Sequence, residues 1–182
     1  MQTRQRVVIW GLLVMATGSA LAGNRNHIII DGGIVHLRGV LTEAACTVST
    51  GSAHQVVDMG QVRSNQFGYL GSFTSPVEFS ISLTGCSTAI SNTVGVAFYG
   101  VTDGKDPQVL RAGAGEGAAL GVGLALFDRN GDVIIPNTPP RSGMALQQGN
   151  NVLSYIAKYR STSRQVLAGN ADASVWFALT YQ

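Results

Sequence analysis

Apolar residues in this chain recur at every second position. Val77, Phe79, Ile81 and Leu83 alternate with Glu78, Ser80, Ser82 and Thr84. That spacing places four apolar side chains on one face of a strand, whereas a helix would scatter them around its axis. Val94, Val96 and Phe98 repeat the pattern. Leu153, Tyr155, Ala157 and Tyr159 do so again, as do Val175, Phe177, Leu179 and Tyr181. Between Val122–Phe127 and Val133–Ile135 lies Asp128-Arg129-Asn130-Gly131-Asp132, which predicts a hairpin with Asn-Gly at the positive-φ positions. Shorter strands are expected at Val35–Leu41 and His54–Met59. Gly113–Gly117, Pro136–Gly143 and Gly149–Asn151 break the runs. No segment carries a 3.6-residue stripe over three turns. The chain therefore reads as all-β.

The N-terminus reads differently. Arg4 and Arg6 precede a nearly continuous apolar run from Val7 to Ala16, and Ser19-Ala20-Leu21-Ala22 ends it with small residues. This is the pattern of a secretory signal peptide over residues 1–22, cut after Ala22. The alternative is an N-terminal anchor, but the apolar stretch falls short of the ~20 residues that span a bilayer. Loss of Arg4 and Arg6 leaves equal numbers of basic and acidic residues, so nothing in the charge favours nucleic acid. Export also bears on Cys46 and Cys86, the chain's two cysteines. In an oxidising compartment an even pair is expected to form a structural disulfide. A metal or redox pair is the alternative, but the spacing is not that of a CxxC motif and no histidine cluster accompanies it. About seven or eight short strands with one inter-strand disulfide suggest an immunoglobulin-like sandwich.

Catalytic patterns do not emerge. There is no GxSxG elbow and no HExxH site. His27, His36 and His54 lack ligand spacing. Gly113–Ala118 only faintly resembles a phosphate loop and reads better as a flexible loop. Asp103, Asp106, Asp128 and Asp132 are too dispersed for a calcium loop and read as solvated turns. Charged residues make up 12% of the chain, about half the usual fraction. The expectation is a non-enzyme with no cofactor and no metal.

Both ends of the exported chain remain to be explained. Gly23–Ile34 reads GNRNHIIIDGGI, and one strand parity places Ile28, Ile30, Gly32 and Ile34 on a common face with His27 and Asp31 opposite. The opposite parity groups Ile29, Gly33, Val35 and Leu37, and carries Asp31 into the same face. Such an apolar terminus is either an ordinary first strand or one that leaves its own domain to complete another. The C-terminus has a glycine fourteenth from the end, Gly169, an alternating run and a penultimate Tyr181.

This terminal block resembles that of pilins from chaperone–usher fimbriae of the type 1 group. Gly32-Gly33-Ile34-Val35-His36 before Gly39, Ala44-Ala45-Cys46, Met59-Gly60-Gln61-Val62, Cys86, Gly95-Val96-Ala97-Phe98 and Ala157-Lys158-Tyr159 extend the resemblance along the exported chain. It implies an immunoglobulin-like sandwich lacking its final strand and completed in trans by a donor strand. Residues 23–38 would be the donor-strand extension, with Ile28, Ile30, Gly32 and Ile34 as its plugs, and residues 39–182 the pilin domain. Gly169, Val175, Phe177, Leu179 and Tyr181 would belong to the strand at the groove's edge, where the chaperone binds. The implied partners are a periplasmic pilus chaperone, an outer-membrane usher and neighbouring pilin subunits. The implied destination is the fimbrium on the cell surface, where the subunit would support adhesion.

Gly95–Lys105, Pro139-Pro140, Ile156–Arg160 and Trp176–Gln182 look closer to the minor, inhibitor-type subunit, whose implied place is the rod base or termination. The major rod pilin is the alternative. A small secreted hydrolase and a self-contained carbohydrate-binding β-sandwich are more distant readings. The first would need paired carboxylates or a nucleophile–base pair; the second would be stable without a mobile N-terminus.

Overall fold

A computed structural model describes residues 44–182. The signal peptide, the donor-strand extension with Ile28, Ile30, Gly32 and Ile34, the strand expected over Val35–Leu41, and His27 and His36 all lie outside the described residues. Within them the chain forms nine strands in two antiparallel sheets: β1 (Thr47–Val48), β2 (Val77–Cys86), β3 (Thr93–Tyr99), β4 (Leu110–Arg111), β5 (Val122–Asp128), β6 (Val133–Ile134), β7 (Met144–Ala145), β8 (Gly149–Ser161) and β9 (Trp176–Tyr181). The larger sheet runs β1-β2-β8-β5-β4, with β6 also on β5, and the smaller runs β7-β3-β9.

Alternation becomes burial where the two sheets face each other. In the larger sheet Phe79 opposes Tyr155 and Ile81 opposes Leu153 across β2 and β8. Leu124 opposes Tyr159 and Leu126 opposes Ala157 across β5 and β8. From the smaller sheet Val94, Val96 and Phe98 point into the same space. The Phe98 and Tyr155 rings meet edge to face at 5.1 Å. Ile81, Leu83, Val94, Phe98, Leu110 and Leu126 are essentially inaccessible to solvent, and each such side chain stabilises the fold by roughly 1.5–3 kcal/mol of apolar transfer. Cys46 and Cys86 are joined in the expected disulfide, next to β1 and at the end of β2. Among the described residues the fold is an immunoglobulin-like sandwich without a final strand.

Strand β5 is buried on both faces. Its outward Phe127 and Ala125 form a small second cluster with Val109, fringed by Val133 and Ile156. The Lys158 ammonium sits 4.6 Å from the Phe127 ring centre. Arg160 packs over Phe73 and pairs with Asp106 at 3.2 Å.

Three local expectations are corrected. His54–Met59 forms no strand. The chain instead makes a helical turn at Thr50–Ala53, held to β2 because the Ser82 N–H donates to Ser52 Oγ and the Ser49 N–H to the Ser82 carbonyl. The turn carries the following residues off the sheet, and Val56 is almost fully exposed. The β5–β6 hairpin forms, but only Gly131 has positive φ, at 88°. Asp128 organises the rest, its carboxylate accepting from the backbone N–H groups of Asn130 and Asp132. The glycine-rich Gly113–Ala118 run is pinned rather than loose. The N–H of Gly113 donates to the Asp172 carbonyl, and that of Ala119 to Asn170, which donates back to Gly117.

Candidate functional site

The smaller sheet ends on β9, and that edge defines the site. β9 pairs with β3 from Val94↔Tyr181 to Tyr99↔Trp176. Among the described residues its other side has no strand partner. Phe177, Leu179 and Tyr181 lean inward on the core but stay partly exposed. Trp176 points outward, 63% exposed, stacked on Tyr99 at 4.3 Å. Val175 lies just before β9 and is 37% exposed.

A second stretch of unpaired backbone completes the arrangement. Residues 55–63 run without regular secondary structure, yet Met59 and Val62 rest on the core fringe together with Phe67, Val166, Ala171 and Ala173. Val62, Ser64 and Phe67 line, together with Val166, Leu167 and Ala171 on the approach to β9, a cavity of about 90 Å³ that Ala119, Val122 and Tyr159 also border. This cavity and the free side of β9 together are termed the seam; among the described residues neither the 55–63 run nor that side of β9 has a strand partner.

Gly169 lies on the approach to β9 rather than in it. A Cβ there would stand 2.5 Å from the backbone of Gly117, Ala118 and Ala119. Glycine is therefore needed for the close crossing that joins the glycine-rich run to the segment lining the cavity.

Hydrogen bonds tie down the ends of this segment. The Tyr181 hydroxyl donates to the Cys46 carbonyl at 3.2 Å. The Tyr159 hydroxyl donates to the Ala171 carbonyl at 3.0 Å. Ser91 and Thr93 hydroxyls both donate to the Gln182 carbonyl. Burial raises the pKa of Tyr181 above its ordinary value. Burial also raises Tyr159, with the Asp172 charge adding to it.

No three metal-ligating side chains converge among the described residues. Asp103 caps its own turn by accepting from the N–H groups of Lys105 and Asp106, and Asp106 is engaged by Arg160. His54 is exposed. What the seam can do chemically is accept an extended segment, because β-strand addition requires unpaired backbone beside apolar pockets. Of the sequence-derived residues, Phe177, Leu179 and Tyr181 come together here, with Gly169 at the cavity. Met59 and Val62 join them although their run was expected to include a strand ending at Met59. Phe67, Val166 and Ala171 had no periodic signal to mark them.

A family model described as fimbrial protein matches residues 35–182. The chain is 39% identical over 180 residues to the fimbrin-like protein FimI of Salmonella typhi, covering 98% of each chain. It is 33% identical over 173 residues to the type 1 fimbrial subunit of Salmonella typhimurium, covering 93% of this chain and 94% of the other. It also resembles the subunit of a solved chaperone–usher pilus, with a TM-score of 0.65 and 27% identity over 85% of this chain and 99% of that one.

Proposed function

The chain belongs to the fimbrial protein family, and on that footing we propose that it enters its pilus by donor-strand exchange. It is a structural subunit of the chaperone–usher type, not an enzyme, and its place is the fimbrium. The observation that carries the proposal is the edge of β9 that has no strand partner among the described residues, with Phe177 and Leu179 partly covered beside it. A periplasmic chaperone strand fills the seam first. At the outer-membrane usher, the extension of a neighbouring subunit replaces it. Main-chain bonds to β9 supply affinity, and alternate side chains fill the seam. The chain's own residues 23–38 perform the same service for another subunit, through Ile28, Ile30, Gly32 and Ile34. Because the contact is heterologous, it propagates a filament instead of closing a ring.

Thermal unfolding tests the exchange. The oxidised domain lacking Gly23–Ile34 is heated alone and with a synthetic peptide of that segment. A ligand that binds only the folded state raises its stability by mass action, so a large rise in the midpoint is expected. A domain already stable and indifferent to the peptide would be a complete sandwich, and a secreted carbohydrate-binding module would then account for it better.

The subunit's place is the finer part of the proposal: a minor subunit at the rod base or in termination. The higher identity to the fimbrin-like relative than to the type 1 subunit supports this, together with the inhibitor-like segments in the sequence. Immunogold labelling of intact pili decides it. Label confined to the cell-proximal end supports the minor role, and label along the shaft makes the chain a rod pilin.

A further inference from the structure

Two tyrosine hydroxyls span the seam near opposite ends of the segment that borders it. Tyr159 projects from β8 in the larger sheet and donates to the Ala171 carbonyl on the approach to β9. Tyr181 projects from the end of β9 and donates to the Cys46 carbonyl, which is tied through the disulfide to Cys86 at the end of β2. Each bond therefore links the larger sheet, or the chain anchored to it, with the β9 segment.

β9 needs such links. It is six residues long, and among the described residues it has a hydrogen-bonded strand neighbour on one side only. Its inward Phe177 and Leu179 stay partly exposed on the core fringe, and collapsing further onto apolar neighbours would narrow the seam before any strand arrived. Fraying outward is the opposite failure. A phenol is suited to prevent both, because its rigid ring fixes the separation while the hydroxyl fixes the direction.

We propose that Tyr159 and Tyr181 are positioning residues that brace the empty seam and hold β9 at strand-accepting distance. This deepens the donor-strand reading and rests on it. The inference concerns the hydroxyls, not the rings, whose apolar packing a phenylalanine retains. A receptor held in its bound geometry does not have to be reordered on binding, so the braces appear as affinity for the incoming strand.

The test uses the full exported chain with Tyr159→Phe, Tyr181→Phe and the double variant, and Tyr155→Phe as control. Tyr155 is buried in the same core, but its hydroxyl has no hydrogen-bond partner among the described residues. Three quantities are read: capture of a labelled peptide spanning residues 23–38, the unfolding midpoint, and amide exchange strand by strand. Each brace variant should weaken capture by about 2- to 10-fold. β9 amides should exchange faster while those of β2 and β8 do not change, and the control should match the wild type in capture and in β9 exchange. Unchanged capture and unchanged β9 exchange would overturn the braces. So would losses that merely follow a fall in midpoint with exchange rising uniformly. If the wild type itself captures no peptide, the donor-strand reading fails, and β9 exchange alone then decides whether the braces exist.

Discussion

At the scale of single residues, three tyrosines and one glycine make sharp predictions. Tyr155, Tyr159 and Tyr181 all have pKa values raised above 10.0, chiefly by burial. Each holds its proton more tightly folded than unfolded. Their contribution is therefore fully present below the ordinary tyrosine range and is lost as pH rises through and above it. Urea unfolding should show a flat profile around neutral pH and a falling one above about 10. Asp128 adds to the shift of Tyr155, whose hydroxyl lies buried without a partner among the described residues. Tyr155→Phe removes a polar group that gains nothing from burial, so the midpoint should hold or rise, by up to about 1 kcal/mol. A clear loss of stability would show that the hydroxyl is satisfied after all. Gly169→Ala should act in the opposite direction, because its methyl would meet backbone that cannot swing aside. A cost of about 1–3 kcal/mol in denaturant unfolding is expected.

Elements, rather than residues, separate what the sequence reveals from what it conceals. β2, β3, β8 and β9 are legible from period-2 alternation, because each has one face against the core, and β5 is legible as the apolar run that leads into the Asn-Gly hairpin, because it is buried on both faces. The failures share a cause. His54–Met59 has strand composition, but the Ser52 hydroxyl in the Thr50–Ala53 turn and the Ser49 N–H before it are bonded to Ser82 of β2 and redirect the chain. Gly113–Ala118 reads as loose because local sequence cannot announce hydrogen bonds to residues fifty positions away. Within the site, β9 was legible and its opposite wall was only partly so. Phe67, Val166 and Ala171 are isolated apolar residues whose meeting is a tertiary event. The seam's function can be tested on β9 directly. Leu179→Lys would place an ammonium in an apolar slot once a strand covers it, a costly burial without a partner. Since Leu179 is only half-covered in the empty domain, the unfolding midpoint should move little. Chaperone co-purified with the subunit should fall on the order of tenfold. Equal recovery would show that the strand does not line the binding surface.

At the scale of the whole described domain, residues 44–182 are two sheets clasped by one covalent bond, with one seam that no strand among the described residues fills. The Cys46–Cys86 disulfide closes a loop with a sequence separation of 40, which should stabilise the fold by roughly 3–4 kcal/mol in the chain-entropy model. The double variant Cys46→Ser, Cys86→Ser should lose about that much in denaturant unfolding. A stable, fully active double variant would make the bond incidental. The open seam has a different cost. An unpaired, apolar edge is a template for unwanted pairing, so the free subunit should aggregate as concentration rises unless the seam is filled. The central position of β8 adds a matter of timing. It joins β2 to β5, yet it begins at Gly149, long after β2 has ended at Cys86. A chain threaded across a membrane from its N-terminus cannot consolidate the large sheet until nearly all of it has emerged. Non-local pairing of this kind makes folding slow. The interval between emergence and closure is then set by the last third of the chain, and any helper that shortens it must arrive late.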